Sequence, residues 1–210
     1  MEKITQKEKR DESVRKILVA AMEVFAEVGF SGARMDEIAK KAGINKAMIY
    51  YRIGDKKTLH TQVLHYVFGD TAMEIAEKIA GSRSPEEKLR IYLRDVLSIV
   101  ERNPFIPRIM MWEFASGGLN VPEVFVQDLG QLIQILIEIL GEGVENGTFI
   151  KTNPLLPHLM AVGALVFYRV SEPIRGKNKT KQMEFMISDK DSGKKALSDI
   201  VELVLRALKK

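Results

Sequence analysis

Along almost the whole chain, apolar side chains recur every three or four residues, the period of an α-helix with one face against a core. Val14, Ile17, Leu18, Ala21, Phe25 and Val28 predict an amphipathic first helix over about Glu12–Val28, stopped by Gly29. Ile38, Ala39 and Ala42 form the stripe of a short second helix. Gly43 follows where a helix ends in a left-handed residue, and Asn45 stands where a third helix needs an N-cap, with Ile49 on its inward side. Asp55 caps a fourth helix through Leu59, Val63, Tyr66, Val67 and Ile75 towards Ile79. Ser84-Pro85-Glu86-Glu87 is a capping box and opens a helix through Leu89, Tyr92, Leu93, Val96 and Val100. Asn103-Pro104 caps the next, which carries Ile109, Met110, Met111 and Trp112 and stops at Gly117-Gly118. Pro122 opens a long helix with Leu129, Leu132, Ile133, Leu136, Ile137 and Leu140, ending near Gly141. Asn153-Pro154 opens another through Leu159, Val162, Leu165, Val166 and Val170. The polar, lysine-rich stretch 173–193 reads as a loop or a partly ordered insert, and a last helix covers about Lys195–Leu208.

Neither a strand, a hairpin nor an internal repeat is visible, so the predicted class is all-α with about nine helices. Caps and composition divide the chain near residue 54. Three small helices over 1–54 form a head, and the helices of 55–210 form an apolar bundle, the fourth helix connecting the two.

The segment Arg34–Ile53 carries the chemistry. Two short helices joined through one glycine, with basic and aromatic side chains on the second, make the pattern of a helix-turn-helix, whose second helix lies in the major groove of DNA. Ile44 plugs the corner between them, and Lys46, Ala47, Tyr50 and Tyr51 point outward. Taken alone, the segment also fits a plain helical hairpin with solvated lysines. Charge shifts the balance. Residues 1–60 hold 13 Lys/Arg against 9 Asp/Glu, whereas the remaining residues hold 19 of each, so the whole net charge of +4 falls on the segment with the DNA reader.

Other classes are excluded in turn. The chain has no cysteine, which rules out disulfides, zinc-thiolate sites and thiol nucleophiles and fits a reducing cytoplasm. The charged start MEKITQKEKRDESVRK has no signal-peptide core, and Gln134 and Glu138 interrupt the longest apolar stretch, short of a membrane span. Phosphate-loop, dinucleotide, nucleophile-elbow and zincin motifs are missing, and His60, His65 and His158 lack metal-type spacing, so neither an enzyme nor a cofactor or metal is expected.

Residues 17–59 resemble the N-terminal domain of TetR-type transcriptional regulators. The matching residues are Ile17-Leu18, Ala20-Ala21, Phe25-Ala26-Glu27, Gly29-Phe30, Ile38-Ala39, Ala42-Gly43-Ile44, Ile49-Tyr50-Tyr51, Lys56 and Leu59. The resemblance implies a recognition helix at about Asn45–Tyr51. Lys46 would reach base edges or a phosphate, and Ala47 a thymine methyl. Tyr50 would donate to a phosphate, and Tyr51 would do so too or pack on a sugar; alternatively one of the two tyrosines belongs to the core. Lys56 would meet a phosphate at the start of the fourth helix, with Arg34 and Arg52 as weaker candidates. Ala33-Arg34, Asn45, Ala47-Met48 and Ile53 depart from the family's usual residues, which points to an individual operator sequence.

For the body, the resemblance implies an apolar effector pocket, with candidates Phe68, Tyr92, Phe105, Met110, Trp112, Phe114 and Phe167, each also readable as plain core. His65 and His158 are possible polar handles. It further implies a homodimer through the last two long helices, Leu159–Val170 and Ile200–Leu208. The expected function is a cytoplasmic, nucleoid-associated bacterial or archaeal regulator. It would repress from a palindromic DNA operator until a small, largely apolar effector tilts the fourth helix. An all-helical protein-interaction adaptor without DNA binding is the alternative.

Overall fold

A computed structural model describes residues 6–177 and 192–210 of the chain. The helices are α1 (Gln6–Gly32), α2 (Met35–Ala42), α3 (Lys46–Arg52), α4 (Lys56–Phe68), α5 (Thr71–Ile79), α6 (Pro85–Arg102), α7 (Ile106–Ala115), α8 (Glu123–Glu145), α9 (Leu155–Val170), α10 (Glu172–Lys177) and α11 (Ser192–Leu208). Among the described residues the only extended pairing is an isolated bridge between Phe149 and Lys209. The all-α expectation holds.

Two compact units divide the chain. The first runs to Gly69 and takes in Arg108–Val126; the second comprises Asp70–Pro107 and Gln127–Lys210. The first is therefore larger than the 1–54 head read from the sequence, since it contains α4 and a distant return segment. Its core is Ile17, Ala21 and Phe25 of α1, Ile38 of α2, Ile49 of α3, Leu59 and Val63 of α4, and Ile109 of α7, all buried. α1 bends at Gly29, where φ is 69°. A Cβ at that position would lie 3.0 Å from Cδ2 of Trp112, so glycine is needed both for its backbone and for the indole resting on it. The Trp112 Nε1 proton is donated to the carbonyl of Ala26 at 3.3 Å, fastening α7 to α1.

Beside that joint lies a costly contact. His60 of α4 and Glu113 of α7 are both buried, with Nε2 and Oε1 3.5 Å apart, and neither Nε2 nor Oε2 has a hydrogen-bond partner. Burial pushes His60 down to about 4, against a hydrogen bond to the backbone of Asn120 that favours its charge. Burial likewise pushes Glu113 up. Both directions favour neutral side chains in a place with little water to solvate a charge.

In the second unit α6 is the centre. Leu89, Tyr92, Leu93, Val96, Leu97 and Val100 are buried, and α5, α9 and α11 pack around it. Ser84 caps α6 through Oγ to the Glu87 N–H at 3.2 Å, as the capping box predicts. Ion pairs tie its rim, Arg90 to Glu202 and Arg169 to Glu101. The Tyr92 hydroxyl and His158 Nδ1 are 2.9 Å apart, so the histidine proposed as a polar handle is a buried partner of Tyr92.

Several elements differ from the sequence reading. The fourth helix does not run to Ile79 but breaks at Gly69-Asp70 into α4 and α5; a Cβ at residue 69 would lie 2.7 Å from the carbonyl oxygen of His65 and nearer still to its exposed imidazole, so a side chain there forces both to shift. Asn103 does not open α7: its side-chain amide donates to Ile99 O at 2.8 Å and closes α6. α8 continues past Gly141 to Glu145, reaching a length and composition sufficient to cross a membrane, contrary to the sequence reading. Its stripe of Leu132, Leu136, Ile139 and Leu140 is buried within the second unit. The 173–193 stretch begins with α10 and otherwise lies mostly outside the described residues.

Two outcomes follow for stability. A Cβ on Gly143 would sit 2.0 Å from Cδ2 of buried Phe149, whereas one on Gly141 meets nothing. In urea titrations Gly143→Ala is expected to lower the unfolding free energy by about 1–3 kcal/mol, and Gly141→Ala to raise it by about 0.5–1 kcal/mol. Burial also pushes His158 down to about 4, below the ordinary 6.5. Between those values the unfolded chain binds the extra proton. The contribution of neutral His158 is thus complete above pH 6.5 and lost as pH falls towards 4, on the order of 3 kcal/mol in all. Urea titrations of His158→Gln against the wild type should show their stability difference shrinking steadily from pH 7 to pH 5.

Candidate nucleic-acid interface

Seven residues are too few to hold a helix together, so α3 is defined at both ends by its neighbours. At its entry, Gly43 adopts φ 64° and ψ 32°, and the Ile44 N–H reaches back to Ala39 O at 3.0 Å, closing α2 in a left-handed turn. Asn45 then caps α3, its Oδ1 accepting the Ala47 N–H at 2.8 Å. Ile49 and Ile53 are buried and set which face turns in. Arg52 donates to Ser13 of α1, and Lys41 of α2 pairs with Glu23 and Glu27 of α1 at 2.6 and 2.8 Å. The turn read from Gly43 and Asn45 is the turn observed.

The outward face presents Ala47, Tyr50 and Tyr51, with Tyr50 47% and Tyr51 85% exposed, so neither tyrosine is a core residue. Arg34 is exposed at the start of α2, where its side chain makes no capping bond. Met48, which apolar periodicity would turn inward, is also exposed. Lys46 extends from the first turn of α3 to Asp36 of α2, Nζ to Oδ2 at 2.9 Å, and this hydrogen bond raises the lysine above its usual range.

Lys56 is placed differently from the sequence expectation of a phosphate contact. Its ammonium donates to the carbonyls of Phe30 and Ala33 at 3.0 and 3.1 Å and stands 4.6 Å over the Phe30 ring. It thereby satisfies the end of α1 and belongs to the frame of the head. The start of α4 is capped by Asp55, which accepts from Thr58 N–H at 2.8 Å. Asp36 was missed by sequence reasoning because its partner lies ten residues away on another helix, outside any i,i+4 signal.

The seven aromatic and methionine candidates for an effector pocket do not fall in one unit. Phe68, Met110, Trp112 and Phe114 belong to the first; Tyr92, Phe105 and Phe167 belong to the second. Tyr92 is fully buried core, while Phe114 and Phe167 are exposed. Phe68 packs edge-on against Phe125. Within the second unit, an open groove of about 670 Å³ runs between α5 and α8, lined by Met73, Ala76, Gln127, Gln131, Gln134 and Ile135, and by none of the seven. Among the described residues no cluster of three metal-ligating side chains occurs.

Known proteins bear on this arrangement. The model of bacterial regulatory proteins of the tetR family matches residues 17–63, which hold α2, α3 and most of α1 and α4. The HTH-type transcriptional repressor NicS of Pseudomonas putida is 28% identical over 203 residues, covering 92% of this chain and 91% of the relative. A mutant of HlyIIR, a hemolysin II transcriptional regulator, has the same fold with a TM-score of 0.71 and 24% identity over 96% of this chain and 99% of the other. FadR from Bacillus subtilis, solved with stearoyl-CoA, matches with a TM-score of 0.64 and 21% identity over 91% and 97% of the two chains. These likenesses set aside the adaptor without DNA binding. With the capped α3 turned outward inside the matched segment, residues 17–63 match the DNA-binding domain of the tetR family of bacterial regulatory proteins, and the chain is a DNA-binding transcriptional regulator.

Proposed function

We propose that this protein is a repressor that binds a roughly palindromic operator as a homodimer and leaves it when a small molecule binds the second unit. The observation that carries the reading is the outward face of α3. Two exposed tyrosine hydroxyls and a lysine stand on a short helix that is capped, packed and aimed by its neighbours. Tyr50 and Tyr51 would donate to phosphates, Lys46 to a guanine edge, and Ala47 would meet a thymine methyl, with Arg34 and Asn45 at the flanks. The relative NicS is named a repressor, which supports that mode of action, and bacterial relatives support action in the cytoplasm; a place at the nucleoid would follow from the operator binding itself.

One α3 spans too few base pairs for selectivity, so two copies are required. A suitable surface exists on α9. Pro157, His158, Ala161, Val162, Leu165 and Val166 face its own unit, while Leu156, Met160 and Phe167 are exposed, with Gly163 between them at helical spacing. Leu203 adds an exposed apolar group on α11, whose Val201, Val204, Leu205 and Leu208 are buried. For the effector, the similarly folded FadR was solved with stearoyl-CoA, which supports a small-molecule ligand here. Here the α5–α8 groove offers Met73 and Ile135 for apolar contact and three glutamines for hydrogen bonds. The effector would act by preferring the state with lower operator affinity.

Sites selected by the purified protein from random duplex DNA should contain two half-sites related by a two-fold axis; recovery of no common motif would overturn the reading. Affinity for the selected duplex should fall linearly in log–log terms with salt. Tyr50→Phe and Tyr51→Phe should each weaken binding roughly five-fold, the equivalent of about 1 kcal/mol for one lost hydrogen bond. Asn45→Ala should cost about 1 kcal/mol of stability through the lost cap, measured by thermal melting alongside the same DNA titration.

A further inference from the structure

We infer that Asp36 is a specificity-determining residue of the DNA-binding head: it holds the Lys46 ammonium in the free protein, so that a duplex must displace a carboxylate to engage that lysine. The inference rests on the DNA-binding reading of α3 and goes beyond it, to how the face discriminates. Asp36 lies in the first turn of α2, where the helix field favours a negative charge, and its side chain is 71% exposed against 43% for Lys46. An exposed pair of this kind adds little to stability, so its effect is to be sought in binding.

The consequence is electrostatic. Lys46 is the only basic side chain of α3 besides Arg52, which is turned towards Ser13 of α1. With Asp36 at 2.9 Å, Lys46 and Asp36 together present almost no net charge to a phosphate. Binding to arbitrary duplex is driven by phosphate neutralisation and counterion release, and a lysine that must first give up a carboxylate contributes little to it. A duplex with guanine acceptors at the right step repays the exchange with directed hydrogen bonds, which a phosphate alone does not. The carboxylate thus suppresses indiscriminate binding more than specific binding.

The test uses the full chain, a duplex recovered by selection with the wild type, and a scrambled duplex of equal length, titrated over a range of salt. Asp36→Asn, which keeps the shape and removes the charge, should bind the scrambled duplex about three- to ten-fold tighter and lower the selected-to-scrambled ratio. Its log–log salt slope should steepen by about 0.9 per head, the value of one added phosphate contact. Asp36→Glu should keep the wild-type slope, and in a Lys46→Gln background Asp36→Asn should change nothing further. Asp36→Ser gives the same readout if the asparagine variant folds poorly. An unchanged slope and ratio, weaker binding, or an equal effect without Lys46 would overturn the inference, the last assigning Asp36 to simple phosphate repulsion. Failure of the wild type to bind any duplex would instead overturn the DNA-binding reading itself.

Discussion

A helix of seven residues has no stable existence outside its surroundings, and the first unit is arranged around that constraint. α3 has fewer than two turns of internal hydrogen bonds, so nucleation must be provided from outside. It comes from two directions: along the chain, through the left-handed Gly43 and the Asn45 cap, and across space, through Ile49 and Ile53 in the core and Arg52 on Ser13. Because its residues are fixed inward in this way, the outward ones have a defined direction without any contact of their own. Lys56 serves the same end from one step away, closing the carbonyl end of α1 on which α2 and α4 pack.

The docking of α7 is less secure than that of α2. Trp112 adds a hydrogen bond and a large apolar area at Gly29, but the adjacent His60 and Glu113 bring two buried polar atoms without partners. Each such atom opposes burial by about 1–3 kcal/mol. The gain falls on the contact of α7 with α1 and the cost on its contact with α4, so the net hold on the return segment is the difference between sizeable opposing quantities. Among the described residues of the second unit no buried side-chain polar atom lacks a partner, and its buried Tyr92 and His158 satisfy one another.

What could be read from the chain alone was what is written locally. The glycine and asparagine that shape the turn, the serine that caps α6 and the stripe of α6 act within a few residues of themselves and lie where expected, whereas Val28, Tyr66, Ile137 and Leu159, read as stripe residues of other helices, are exposed. The features that escaped reading are those made between distant residues. Nothing near Trp112 shows that it rests on Gly29, and nothing near Lys56 shows that carbonyls 23 and 26 residues earlier occupy it. Aromatic residues marked as one pocket proved to be divided between two units, because composition carries no information on which helices meet. The break at Gly69 was obscured because residues on both sides keep the helical period.

Trp112 is the single tryptophan of the chain, and the fold has placed it at the joint between α1 and α7. It is half exposed, with its ring against the bent backbone at Gly29 and its N–H on a carbonyl of the same helix. An indole in that position has an emission wavelength and quenching that depend on whether the ring stays seated. The protein therefore carries a built-in fluorophore at the base of its DNA-binding unit, and no label has to be attached to watch that joint open and close in solution.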